Sequence, residues 1–297
     1  MTTAISPISR QVSKPYLSLQ EFKNAPTALD YGNLVVGGNQ AAQDAELSNA
    51  ITRASSWIDQ YCNQVLSATV DTEQQRVRFR NDGTVAIHPK YFPIVSVSAI
   101  SLGATPNEMW SAPDPSVCWL EEQTLIYPYA QMPQTMSSQG PLSFGFPVSQ
   151  GRYAYAQYTY INGYANTSFD VQANAGVSSI TVDDATGIVP GEWLTIFDGA
   201  NTERIQVSTT YTYGNAVVTL AAPTLYAHAV GVTVSALPAA IKEAAIVMTS
   251  AFLKIRGDAS LTMAVTTRPG GQISANDAMG NEQRIAEEIL KPFRRIR

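Results

Sequence analysis

The stretch Leu47-Ser-Asn-Ala-Ile-Thr-Arg-Ala-Ser-Ser-Trp-Ile-Asp-Gln-Tyr-Cys-Asn-Gln-Val65 sets the reading of the fold. Leu47, Ile51, Ala54, Ile58, Tyr61 and Val65 recur at steps of four and three, and Ala50 and Trp57 widen the stripe. No glycine or proline interrupts it, so a long helix is expected over about 39–66. Ahead of it, Ser18-Leu-Gln-Glu21 followed by Phe22 is a capping-box pattern. It predicts a short helix reached from an extended arm that ends at Pro15.

Downstream, from Gln75, the apolar period changes to two. Val77, Phe79, Val85, Ile87, Ile94, Val95, Val97 and Ile100 sit in short runs broken by Asn81-Asp82-Gly83, Pro89 and Pro93. Further strands are expected at 117–120, 124–127 and 152–163, with a long Ser/Pro/Gly/Gln-rich loop over 131–150. From 169 to 236, five short apolar runs alternate with turn signals such as Pro190-Gly191 and Gly214-Asn215. That spacing predicts a small β-barrel or β-sandwich. The helical period then returns: Ile241, Ala245, Met248, Phe252 and Ile255 define a helix over about 238–256 that carries Lys242 and Glu243. A polar loop over 266–281 and a short helix over 282–291 close the chain. The expected fold class is α+β: a helical core from these helices, covered by the antiparallel β-region, with an all-β module inserted.

The 297 residues carry a formal charge of -5, and only 14% are charged, against about 25% in an average soluble domain. The acidic balance argues against a phosphate-binding protein overall. Apolar residues stand at 45%, which excludes a disordered chain. No segment reaches about 18 uninterrupted apolar residues, so no membrane contact is expected. The N-terminus lacks a basic-then-apolar signal, so synthesis in the cytoplasm is the default expectation.

Catalytic patterns are missing. Two histidines, His88 and His228, have no spaced ligand partners, so no metal site is expected. Cys62 and Cys118 read as core thiols. There is no Gly-x-Ser-x-Gly elbow, phosphate-binding loop or dinucleotide fingerprint, and hence no cofactor. Asp183-Asp184 reads as a turn or, less readily, as calcium ligands. Tyr153, Tyr155, Tyr158 and Tyr160 suit packing in a sheet or subunit interface, or else base stacking, though only Arg152 is nearby in sequence. Adjacent Glu121-Glu122 would face opposite sides of a strand, which weakens a carbohydrate-cleaving alternative; a carbohydrate-binding β-protein stays as a remote one. The residues point to a non-enzymatic structural protein.

Four stretches in this order resemble the head-to-tail adaptor (connector) proteins of tailed bacteriophages: Tyr16-Leu-Ser-Leu-Gln-Glu-Phe22, Ala54-Ser-Ser-Trp-Ile-Asp-Gln-Tyr-Cys62, Pro93-Ile-Val-Ser-Val-Ser-Ala-Ile-Ser-Leu-Gly103 and Ile289-Leu-Lys-Pro-Phe-Arg-Arg-Ile-Arg297. The likeness covers about 1–166 and 237–297, an adaptor core in two pieces, and leaves 167–236 as an inserted β-module. It implies a homo-oligomeric ring, a dodecamer, in the virion neck between capsid and tail. Its partners would be further copies of itself, the portal protein, and a tail, tail-terminator or stopper protein, with DNA passing non-specifically through the channel. Another neck, tail-completion or baseplate protein is the alternative. The tail alternates apolar and basic residues, which suits docking in a partner groove. By resemblance that groove belongs to the portal, engaged by Ile285, Ile289, Phe293, Arg294, Arg295, Ile296 and Arg297.

Overall fold

A computed structural model describes residues 14–27, 29, 31–32, 34–80, 84–111, 114–128, 153–256 and 275–295. The turn at Asn81-Asp82-Gly83, the loop over 131–150, Arg152, and residues Ile296 and Arg297 lie outside the described residues. The chain divides into two compact units, 68–163 and the combination of 1–67 with 164–297.

The first unit is a curled, half-barrel-like antiparallel sheet of seven strands. In chain order these are β1 (Thr69–Phe79), β2 (Thr84–Ile87), β3 (Ile94–Thr105), β4 (Glu108–Ser111), β5 (Trp119–Glu121), β6 (Thr124–Pro128) and β7 (Tyr153–Asn162). They are laid out as β4-β3-β7-β1-β2-β6-β5. The sheet closes on an interior of its own, built from Val77, Val85, Ile87, Ile100, Leu102, Leu125, Tyr127, Tyr158 and Tyr160. This overturns the expected fold class. The protein is mostly β rather than a helical adaptor core with a sheet laid over it, because the apolar face of this sheet is spent on its own interior. β1 begins at Thr69, earlier than the apolar alternation from Gln75 indicates. Its inward positions there are polar, and Glu73 is satisfied by Tyr158 Oη at 2.8 Å and Tyr160 Oη at 2.6 Å. A hydrophobicity pattern cannot register such a strand.

The second unit contains four α-helices: α1 (Leu19–Asn24), α2 (Gln40–Cys62), α3 (Ala239–Arg256) and α4 (Ala275–Leu290). Ser18 and Glu21 form a reciprocal capping box on α1. Asn39 caps α2 through its side chain, and Asn63 ends it in the left-handed conformation at φ 55°. The helix therefore stops at Cys62, and Val65 and Leu66 are buried as extended chain. Leu47, Ala50, Ile51, Ala54 and Ile58 on α2 pack with Ile241, Ala245 and Met248 on α3, and with Ala286 and Leu290 on α4. α4 starts at Ala275, inside the segment expected to be a loop.

The same unit holds β8 (Asn166–Ser168), β9 (Ser179–Thr181), β10 (Trp193–Phe197), β11 (Glu203–Gln206), β12 (Val217–Thr219) and β13 (Thr233–Ser235). One sheet runs β11-β10-β13-β8, and β12 pairs with β9. Together they enclose a separate apolar cluster that includes Phe169, Ile180, Leu194, Ile196, Val207 and Val218. Asn166 pairs with Ser235, so the chain enters and leaves this module on adjacent strands.

Candidate functional site

Three of the four motif stretches meet at the C-terminal end of α2. The Tyr16 hydroxyl donates to Asp59 and accepts the Leu66 amide at 2.8 Å, while the Tyr16 amide donates to Ser55 Oγ at 3.0 Å. From the other side, the chain after Leu290 makes one turn of 3₁₀-helix, Lys291–Phe293, and folds back. The Arg295 amide donates to the Cys62 carbonyl at 3.0 Å. Asn63 and Gln64 donate through their side-chain amides to the carbonyls of Arg295 and Phe293, each at 3.2 Å. These bonds satisfy groups that a helix end leaves open. The Tyr61 hydroxyl reaches the Glu287 carbonyl at 3.1 Å, its ring stacks on Trp57, and the Arg294 guanidinium sits 5.2 Å from its centroid.

The tail residues singled out from the sequence are thus divided. Ile289 and Phe293 pack against the helical cluster of their own chain. Ile285 is 43% exposed, and Arg294 is exposed beside Tyr61. Arg295 is half-buried and held by its backbone. Ile296 and Arg297 lie outside the described residues.

A second arrangement, not anticipated from the sequence, surrounds Lys242. This residue sits on α3 with its side chain only 6% exposed. Its ammonium bonds Glu21 Oε1 at 2.5 Å and the Tyr16 carbonyl at 3.2 Å, and lies 4.0 Å over the Phe197 ring. Burial pulls the Lys242 pKa below its usual value, against the opposing pull of Glu21. Glu21 Oε2 meanwhile accepts from the Ser18 amide at 2.6 Å and from Thr233 Oγ1 at 3.1 Å. One carboxylate therefore caps α1, neutralises α3 and ties both to β13. The pair lines a cleft of about 790 Å³ whose wall also includes Gln20, Asn24, Asp198 and Ile246. A lysine on the apolar stripe of a helix was the available signal, since such a residue must find a partner when buried.

Within the β-module, His228 is 1% exposed. Its Nδ1 lies 2.9 Å from Asp198 and its Nε2 2.7 Å from Glu203, with the ring stacked on Phe169. Burial alone would raise the Glu203 carboxyl. Donation from His228 and from the Leu225 and Tyr226 amides outweighs this and holds it below its ordinary value. The trio braces the 225–228 segment against β10 and β11. Burial pushes both the Cys62 and Cys118 thiols up to about 12, which removes their nucleophilic character near neutral pH. Among the described residues no group of three or more His, Cys, Asp or Glu side chains could hold a metal ion. Among the same residues no helix is long and apolar enough to cross a membrane. No family model matches the chain, and no curated protein matches it.

Proposed function

We propose that the chain is a structural subunit of a bacteriophage neck, assembling as a dodecameric ring that joins the portal to the tail or a stopper and lets DNA pass. The reading assigns it no catalysis and places it in the virion. One observation carries it: stretches 16–22, 54–62 and 289–295, far apart in sequence, are bonded into one junction around Tyr16, Tyr61 and Cys62. A packed junction of this kind is compatible with the motif order on which the resemblance rests. On this reading Ile289 and Phe293 set the tail's direction by packing at home, whereas Ile285, Arg294 and the residues beyond Arg295 meet the portal.

The test is the mass of the purified chain, alone and mixed with portal protein, by sedimentation or native mass spectrometry. A closed ring of twelve copies that binds portal is expected. A chain that stays monomeric in both conditions refutes the reading, and a closed ring that ignores portal moves it to another station in the virion.

A further inference from the structure

The sheet of the 68–163 unit carries a basic and aromatic face that the acidic net charge conceals. Arg76 and Arg78 alternate along β1 and point away from the interior, and Arg80 follows one residue past the strand's end. The register of β1 with β7 places Arg78 opposite Tyr153, a residue 75 positions away. The Arg76 guanidinium lies 3.8 Å from the Tyr153 ring centroid and that of Arg78 lies 4.7 Å away, with Arg78 also donating to the Tyr153 hydroxyl. Two cations are held against one ring, and among the described residues neither has a carboxylate partner. An anion that bridges them would relieve their mutual repulsion. Arg80 differs, since Glu121 pairs with it at 3.3 Å.

The same cross-strand row continues from Tyr153 and Arg78 through Ala86 on β2 and Ile126 on β6 to Trp119 on β5. Residues opposite one another in a ladder share a face. Tyr153, 41% exposed, and Trp119, 42% exposed, are therefore the exposed rings at the two ends of this row, four strand spacings or about 19 Å apart along the sheet, with Ile126 between them fully buried. Two guanidinium groups without a carboxylate partner beside one exposed ring, with a second exposed ring at the far end of the same face, match the needs of one ligand class. Guanidinium forks take phosphates, and rings take the faces of unpaired bases. An acidic peptide would satisfy the arginines but leave both rings uncovered.

The geometry points to a binding surface for single-stranded nucleic acid on this face, with Arg76 and Arg78 on the phosphates and Tyr153 and Trp119 as stacking platforms. The inference is independent of ring formation and is tested on the full chain in solution. The probe is a fluorescein-labelled twenty-nucleotide oligothymidylate, followed by anisotropy between about 50 and 200 mM KCl. The wild-type chain binds it with salt-dependent affinity. R76Q/R78Q weakens binding at least about tenfold and reduces the log–log salt slope by about 1.4, at about 0.7 per phosphate contact on a single strand. R76K/R78K keeps the slope but loses affinity several-fold, because lysine lacks the planar fork. Y153L lowers affinity without changing the slope. No binding by the wild-type chain overturns the proposal, as does wild-type binding by a R76Q/R78Q chain of unchanged melting temperature. Tighter binding of a duplex of equal length also overturns it. Equal binding of polyglutamate at matched charge would transfer the surface to an acidic protein partner.

Discussion

Replacing Lys242 by methionine isolates the energetics of the Glu21–Lys242 pair. Methionine keeps most of the buried apolar stem, so the change removes the charge and three interactions: those with Glu21, the Tyr16 carbonyl and the Phe197 ring. Glu21 is then a buried carboxylate, 7% exposed, with two donors left, the Ser18 amide and Thr233 Oγ1. Breaking a buried pair by removing one partner costs about 3–5 kcal/mol. The two surviving donors place Lys242→Met at the lower end, about 3 kcal/mol. The double variant Glu21→Gln/Lys242→Met behaves differently, because glutamine still closes the capping box and no charge is stranded. It should lie within about 1 kcal/mol of the wild type, about 2 kcal/mol better than Lys242→Met, and the coupling exceeds that difference by the cost of Glu21→Gln alone. Urea unfolding read at 222 nm reports this well, since all four α-helices belong to the unit that contains the pair. A 3 kcal/mol loss moves the midpoint down by about 1–1.5 M. In Glu21→Gln alone, Lys242 is the stranded charge. A lysine whose folded pKa is depressed destabilises most at low pH, so this variant should recover as the pH rises towards about 10.5. A Lys242→Met chain with the wild-type midpoint, or a double variant no better than Lys242→Met, refutes the reasoning.

Other consequences are as direct. Burial raises the Glu192 carboxyl from 4.5 to about 7, so its contribution to stability is fully present below about pH 4.5 and is lost as the pH rises through 7. Glu192→Gln should therefore melt like the wild type near pH 4.5 and gain about 1–3 kcal/mol at about pH 8; a pH-independent difference would exclude this cause. Truncation after Leu290 removes the Phe293 packing and the three bonds to Cys62, Asn63 and Gln64, at a cost of about 2–3 kcal/mol in urea unfolding. Arg294→Glu leaves that packing in place and gives up only the exposed contact with the Tyr61 ring, so it should stay within about 1 kcal/mol of the wild type yet abolish attachment to portal-bearing heads; normal attachment would remove Arg294 from the interface. Replacing Ser168–Ser235 by a short Gly/Ser linker joins Thr167 to Ala236, beside the Asn166–Ser235 pairing where the chain enters and leaves the module, and the helical signal at 222 nm should survive at lowered stability, since Phe197 and Thr233 no longer cover the Glu21–Lys242 pair. An aggregated chain without that signal would make the module part of the helical core.

Whatever depends on neighbours within one or two turns of chain was legible before any coordinates. The capping box at Ser18 and Glu21, the apolar stripe from Leu47 to Ile58, the stripe from Ile241 to Phe252 and the turn-punctuated strands of 169–236 are all local patterns. The helix ends were less legible, because Asn63 halts α2 by its backbone conformation while the apolar stripe runs on to Val65. The architecture lies beyond local pattern for a related reason. Asp71, Glu73 and Gln75 look like solvent-facing residues, and only the pairing of β1 with β7 brings Tyr158 and Tyr160 onto Glu73 and turns that face inward. The same register carries Tyr153 to Arg76 and Arg78, and a separation of 221 residues divides Lys242 from Glu21. Such contacts are decided by strand register and by the packing of distant elements. A residue's own neighbourhood in sequence sets its backbone preference, but which charge or ring it meets depends on the free energy of the whole packed chain.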